Sequence, residues 1–174
     1  MKTFILIFFI KFSVTAFGQG NKDSTSTRAV GVRLSYTYSK LQFIDGGICI
    51  GKIIPVREMI GIIGYRDAFA NIGYGWTKNN TVMTAKVGYE FMTLLPGARI
   101  SLLNVTDFKR NQIGVLPEIG LSYNSIFYVM YGYNFNLSGH NIFNAKGHQI
   151  NLGLNFPLFV ENGFIWNNKG KGKQ

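Results

Sequence analysis

The chain has 174 residues, enough for one domain or a small domain with appendages. Lys and Arg total 18 against 8 Asp and Glu, a formal net charge of +10, yet charged residues are only 15% of the chain, where ordinary soluble domains hold about 25%. A hydrophobic share of 47% and an aromatic share of 15% exclude intrinsic disorder, and a single Cys excludes a disulfide framework or a multi-Cys zinc site.

Residues 1–18 read as a secretory signal peptide. Lys2 forms a short basic start, Phe4 to Ile10 are wholly apolar, and Phe12 to Phe17 resume the run after Lys11. Ala16-Phe17-Gly18 is a small-x-small cleavage site, which puts Gln19 first in the mature chain. The alternative, a membrane-spanning helix, needs roughly 20 apolar residues, and Lys11 interrupts this run. No Cys follows the cleavage site, so a lipid anchor is not expected. Loss of Lys2 and Lys11 leaves 16 basic and 8 acidic residues, a mature charge of +8. Residues 19–28 are polar and read as a flexible lead-in. No later run reaches the length of a transmembrane helix.

From residue 29 to residue 159 the chain alternates with period two, the mark of strands with unlike faces. Val30, Val32, Leu34, Tyr36 and Tyr38 oppose Arg33, Ser35, Thr37 and Ser39. Ile72, Tyr74 and Trp76 oppose Asn71, Gly73, Gly75 and Thr77. Met83, Ala85, Val87, Tyr89 and Phe91 oppose Thr84, Lys86, Gly88 and Glu90. Ile113, Val115, Pro117, Ile119, Leu121 and Tyr123 oppose Gln112, Gly114, Glu118, Gly120 and Ser122. Val129, Tyr131, Tyr133 and Phe135 oppose Gly132, Asn134 and Asn136. Ile150, Leu152, Leu154, Phe156 and Leu158 oppose Gln149, Asn151, Gly153 and Asn155.

Eight strands are expected, at 29–39, 43–54, 68–77, 81–92, 97–104, 112–123, 126–137 and 147–159. Met59 to Tyr65 reads equally as a ninth strand, a continuation of a neighbour or a loop, and the register of 43–68 stays open. Even parity favours eight. Asn79-Asn80, Pro96-Gly97 and Asn124-Ser125 are turn signals, and 104–111 and 138–147 read as longer polar loops. The fold class is therefore all-β, an antiparallel up-and-down transmembrane β-barrel. Strands of about 9 to 11 residues suit a tilted crossing of a bilayer, and a large apolar face opposite a small, polar one suits a lipid-facing wall around a narrow lumen. The aromatics Tyr36, Tyr38, Tyr74, Trp76, Tyr89, Phe91, Tyr123, Phe127, Tyr133 and Phe135 lie toward strand ends, as girdles at the two interfaces do. Residues 160–174 end in KGKGKQ and read as a basic tail.

Asn151, Gly153, Phe156 and Leu158, followed by Phe159, form a polar-x-Gly-x-x-apolar-x-apolar pattern on the last strand. This resembles the signal read by the barrel assembly machinery of outer membranes. TAKVGYEF (84–91), GARISLLNVTDF and LPEIGLSYN (97–124), and YGYNFNL and HQINLGLNF (131–156) together resemble small outer-membrane β-barrel proteins of Gram-negative bacteria. The resemblance covers about the last half of the chain. It implies an eight-stranded barrel in the cell outer membrane and assigns no catalytic residue.

Arg33, Lys86, Glu90, Arg99 and Glu118 fall on the inner face, where charges must pair, so a structural ion network is expected ahead of an ion or proton path. His140 and His148 flank the longest loop without a nearby carboxylate and read as surface residues. Cys49 reads as a small buried or lipid-facing hydrophobe. Asn104-Val105-Thr106 matches a glycosylation sequon that arises often by chance. Lys109, Arg110 and Lys146 suit anionic lipopolysaccharide at the outer surface. Nucleic acid, a metal and a cofactor are not expected.

The leading reading is a non-enzymatic, porin-like cell-envelope protein with a structural or adhesive role through its outer loops. Outer-membrane lipids and the assembly machinery are its expected partners. The alternatives are a membrane-embedded lipid-modifying enzyme, which needs a Ser or carboxylate beside His140 or His148, and a soluble lipocalin-like carrier, which needs an apolar interior.

Overall fold

The computed structural model describes residues 27–55, 63–76, 81–93, 96–123, 126–138, 145, 147–160 and 163–164. The proposed signal peptide, Asn79-Asn80, Asn124-Ser125, His140, Lys146 and the basic tail beyond Phe164 lie outside the described residues.

Eight long strands form the wall. They are β1 (Thr27–Tyr38), β2 (Gln42–Pro55), β3 (Ile63–Trp76), β4 (Thr81–Met92), β5 (Pro96–Thr106), β6 (Asn111–Tyr123), β7 (Phe127–Asn136) and β8 (Gly147–Val160). Each pairs antiparallel with its neighbours in sequence, and β8 pairs back onto β1. The result is a closed eight-stranded up-and-down β-barrel without a helix among the described residues. A two-residue strand, β9 (Gly163–Phe164), adds to β8 within the stretch expected to be tail.

Ile63 to Tyr65 belong to β3, so that part of the ambiguous segment continues a strand; 59–62 lie outside the described residues. Thr27 and Arg28 already belong to β1, which shortens the lead-in. Pro96 and Gly97 are not the turn. The chain reverses before them, where the Thr93 N–H donates to the Pro96 carbonyl at 3.0 Å, and Pro96 opens β5. The loop expected over 104–111 shrinks to 107–110, because Asn104, Val105 and Thr106 extend β5 and Asn111 opens β6.

Besides Pro55 and Pro96 at strand ends, two prolines sit inside strands of the wall. The β6–β7 pairing skips from Val115↔Phe135 to Glu118↔Gly132, and Pro117, which has no N–H to donate, stands in that gap. At the seam, Val30 faces Phe159 while Gly31 faces Pro157, so Leu158 is the extra residue of a bulge. Phe159 rather than Leu158 therefore carries the outward alternation at the strand's end, with Phe159 53% exposed.

The alternation read from the sequence is the alternation of burial. Outward positions such as Val32, Ile48, Ile72, Ile100, Ile119 and Leu152 are exposed, whereas polar Thr37, Asn71, Gln112, Gln149 and Asn151 are buried. The aromatics near strand ends divide between the two ends on the outer face, and Tyr36 stacks on Trp76 at 6.4 Å between centroids. The wall is apolar outward and the lumen polar inward.

The lumen is layered. At the end bearing loops 39–41, 107–110 and 137–146, an apolar cluster of Leu41, Phe43, Val82, Leu103, Val105 and Ala145 fills the mouth. The Asn134 amide donates to the Ala145 carbonyl at 2.8 Å, which fixes Ala145 in that mouth. At the end where the chain enters and leaves, Ala29, Cys49, Tyr65, Phe69 and Ile53 form one cluster and Met92, Tyr128 and Met130 another. Cys49 thus faces inward, 3.6 Å from the Tyr65 hydroxyl, and not toward the outside. Charged side chains occupy the layer between.

Glycines on the inner wall admit the two large rings of that layer. A Cβ on Gly88 would lie 2.7 Å from the Phe69 ring, and one on Gly153 would lie 2.2 Å from Tyr128 Cζ and Oη. Gly153→Ala should therefore cost about 1–3 kcal/mol in urea unfolding of the folded barrel. Gly46→Ala, whose Cβ meets only the Arg33 carbonyl at 3.6 Å, is the control and should be near neutral. Equal effects of the two would sink the explanation.

Candidate functional site

Glu90 on β4 is the centre of the charged layer. Its Oε2 takes Arg33 Nη2 from β1 at 3.0 Å and Arg99 Nε from β5 at 2.8 Å. Its Oε1 accepts from the Asn155 amide of β8 at 3.0 Å. Arg99 also reaches Glu118 on β6 at 3.3 Å. Charge-assisted bonds of this kind are the strong ones, and here they join side chains from five strands in the lumen.

The guanidiniums are held between two rings. Arg33 lies 4.0 Å from the Phe69 centroid and 5.6 Å from that of Tyr128; Arg99 lies 5.3 Å and 4.5 Å from the same rings. Arg33 also donates to the Tyr128 hydroxyl at 3.3 Å. Planar, weakly hydrated guanidinium suits such a sandwich better than an ammonium would.

A second group lies nearer the mouth. Asp45 Oδ2 stands 3.4 Å from Lys86 Nζ, while Oδ1 accepts from the Ser35 hydroxyl at 2.7 Å and from the Asn71 amide. Lys86 Nζ is also 5.0 Å from the Phe43 ring. Thr37 and Asn151 bond each other at 3.0 Å across the β1–β8 seam.

All five inner-face charges expected from the sequence point into the lumen and are at most 4% exposed. Arg33, Glu90, Arg99 and Glu118 meet in one network; Lys86 pairs elsewhere, with Asp45. Asp45, Asp67, Phe69 and Tyr128 were not among the candidates. The signal for Asp45 was present in Phe43-x-Asp45-x-Gly47-x-Cys49, which alternates with Ile44, Ile48 and Ile50. Of the expected assembly residues, Asn151 is buried, Gly153 and Leu158 are half-buried, and Phe156 and Phe159 are exposed.

Asp67 is the odd member. Neither carboxylate oxygen accepts a hydrogen bond among the described residues, and its nearest cation is Arg33 at 3.9 Å. Among the described residues, four carboxylates thus share the lumen with three cations, Arg33, Lys86 and Arg99. A buried carboxylate without hydrogen-bond donors keeps a desolvation cost that one cation 3.9 Å away does not offset, and its loss still leaves Arg33 bonded to Glu90. Asp67→Asn should therefore leave urea stability unchanged or raise it by about 1 kcal/mol. A loss as large as that of a Glu90 substitution would show that Asp67 is a working partner of Arg33.

His148 lies on the outer face, with Nδ1 2.5 Å from the Tyr131 hydroxyl and its ring edge-on to Tyr133. Ser39 lines the same groove as His148, but its hydroxyl is engaged by Leu41, donating to the carbonyl at 2.5 Å and accepting from the N–H at 3.2 Å; no three metal-ligating side chains come together among the described residues. In loop 107–110, Asp107 accepts from the Lys109 and Arg110 N–H groups at 3.0 and 2.7 Å and from the Arg110 guanidinium at 2.9 Å. The Arg110 side chain holds the Asp107 carboxyl below the ordinary range. The sequon residue Val105 is buried in strand β5.

Comparison with models of protein families, with curated proteins and with solved structures returns no match.

The arrangement can fasten strands across the lumen at several heights. It exposes no charged side chain of the layer to a substrate or to a continuous water path among the described residues.

Proposed function

We propose that this chain is a non-enzymatic outer-membrane β-barrel protein of a Gram-negative cell envelope, exported by its first 18 residues. Its barrel serves a structural role and carries the connection 137–146 as a surface for interaction. The observation that carries this reading is the inverted distribution of polarity, apolar outside and charged inside. In water such a wall would aggregate; in lipid it is required.

The wall's height agrees. On β2 the outward positions between Lys52 and Gln42 are Ile50, Ile48, Gly46 and Ile44. Ten residues at about 3.4 Å each and a tilt of about 40° span about 26 Å along the axis, close to the roughly 25 Å apolar band of outer-membrane barrels. The resemblance of residues 84–156 to small outer-membrane barrels supports the same setting. The soluble-carrier alternative calls for the reverse polarity. The lipid-modifying alternative is less well supported: His148 Nδ1 is taken by the Tyr131 hydroxyl, and Ser39, which shares its groove, is bonded to Leu41.

A porin-like conducting role is not favoured. Lys86, Glu90 and Glu118 are at most 2% exposed, and eight strands enclose an interior only wide enough for side chains. The purified barrel in planar lipid bilayers should give no stepwise current at any applied voltage tested. Stable open-channel steps would overturn the filled-lumen reading.

A further inference from the structure

The connections at the mouth end are unevenly charged. Residues 39–41, 77–80, 107–110 and 137–146 hold Lys40, Lys78, Lys109, Arg110 and Lys146 against one carboxylate, Asp107. Asp107 is already bonded to Arg110 within its own loop. Asp45, Asp67, Glu90 and Glu118 are enclosed in the lumen. This end therefore suits an anionic partner. It also bears the longest connection, 137–146, which in the membrane reading makes it the outer side.

One groove at this end can hold an anion in a fixed place. Tyr38, Ser39, Lys40, Tyr131, His148 and Ile150 line it, around about 480 Å³. Strand register brings them together. Tyr38 of β1 and Tyr131 of β7 both face Ile150 of β8, and Lys40, two residues beyond Tyr38, comes to the level of His148. Lys40 is held out by its neighbours. Leu41 is buried in the mouth cluster, and Ser39 bonds the Leu41 carbonyl and N–H, so the turn is fixed with Lys40 exposed. The His148 ring is fixed too. Tyr131 takes its Nδ1 at 2.5 Å and Tyr133 lies edge-on at 4.9 Å, which leaves Nε2 for a ligand. Groups ordered before binding lose little entropy on binding.

The groove is polar at its rim and apolar below, where Val129, Ile150 and Leu152 continue the exposed outer face. We propose that it binds the phosphorylated sugar headgroup of an outer-leaflet glycolipid. The phosphate sits on the Lys40 ammonium, a point charge, and on His148 Nε2. A sugar ring lays its C–H face against the exposed rings of Tyr38 and Tyr131, which carry an apolar face and a polar tip at the level of the interface. The acyl chains run down along Ile150 and Leu152. A phosphate alone would use the cation and leave the rings idle; a phosphorylated sugar uses both. This inference rests on the membrane reading above and adds a lipid class and a place to it. It puts the contact on the flank of the barrel at Lys40, not on loop 107–110.

The test is native mass spectrometry of the full folded chain released from detergent micelles. The probe is diphosphoryl lipid A, set against the same lipid stripped of its phosphates and against dioleoyl phosphatidylglycerol. The wild type should retain diphosphoryl lipid A over both. Lys40→Gln should weaken that retention about fivefold, and Lys40→Gln with His148→Gln about twentyfold. Lys109→Gln, in another loop at the same end, should change nothing; a loss equal to that of Lys40→Gln would assign binding to the diffuse charge of the mouth and overturn the groove. Glucosamine 1-phosphate, which has the sugar and the phosphate without the chains, should not compete; competition would assign the groove to a free sugar phosphate and overturn a lipid site. If the double variant fails to fold, judged by its gel mobility unboiled, the single Lys40→Gln carries the decision. Equal retention of phosphatidylglycerol, or of the dephosphorylated lipid, by an inserted barrel overturns the site alone. A chain that stays soluble without detergent overturns the membrane reading and the site together.

Discussion

Glu90→Gln should destabilise the barrel by about 3–5 kcal/mol, the cost of taking away one partner of a buried ion pair. The loss arises because Arg33 and Arg99 both lean on one carboxylate oxygen, at 3.0 and 2.8 Å, in a layer where neither guanidinium reaches water. Gln keeps the volume and the bond with Asn155, so the loss reports charge and not a cavity. Glu118 still holds Arg99 at 3.3 Å, which leaves Arg33 the more exposed to the change. The measurement is urea unfolding in lipid vesicles, followed by tryptophan fluorescence. A change under about 1 kcal/mol would place Glu90 among ordinary substitutions and leave the network without a structural role. Glu90→Gln combined with Arg33→Met should recover part of the loss, since the second change removes the charge that the first leaves with only the distant Asp67 carboxylate, 3.9 Å away.

Ile48→Arg should cost about 2–4 kcal/mol, the penalty for Arg facing lipid near the midplane of a barrel wall. Ile48 is 53% exposed and lies on β2 between Lys52 and the mouth. On a protein in water, a surface change of this kind stays within about 0.5 kcal/mol. Packing cannot produce the larger figure, because this side chain stands outside the lumen. The depth dependence is a second check. Ile44→Arg, nearer the mouth, should cost less than Ile48→Arg, and equal costs would speak against a bilayer around the wall.

Much of the wall was legible because strands with an apolar outer face and a polar inner one repeat one rule without interruption. β4, with Met83, Val87 and Tyr89 out and Thr84, Lys86 and Glu90 in, is found at the expected residues. β6 differs by one residue at its start. The rule weakened between 42 and 67 for a physical reason. Gly46, Gly47 and Gly51 present no side chain to either face, and the inner face of β2 mixes Phe43 and Cys49 with Asp45. A lumen layered apolar, charged, apolar does not read as one polar face.

The loops misled for a related reason. Asn104, Thr106 and Asn111 are polar because strand ends at a barrel rim are wet, and polarity at a rim looks like a loop in sequence. The charge network was legible in membership but not in pairing. Arg33 meets Glu90 only because β8 closes onto β1 and the ring turns the two strands toward each other. The match between Gly153 and Tyr128, or Gly88 and Phe69, is likewise a fact about the far side of a lumen. No local window of sequence contains it.

The most direct test of a closed barrel in an outer membrane is heat-modifiability after envelope fractionation. Outer membranes from cells making the full chain are run on a denaturing gel with and without boiling. The account predicts that the protein is found in the outer-membrane fraction and migrates faster unboiled, because a closed hydrogen-bonded wall resists detergent until heated. A protein in the soluble periplasmic fraction, with the same mobility boiled or not, would contradict it.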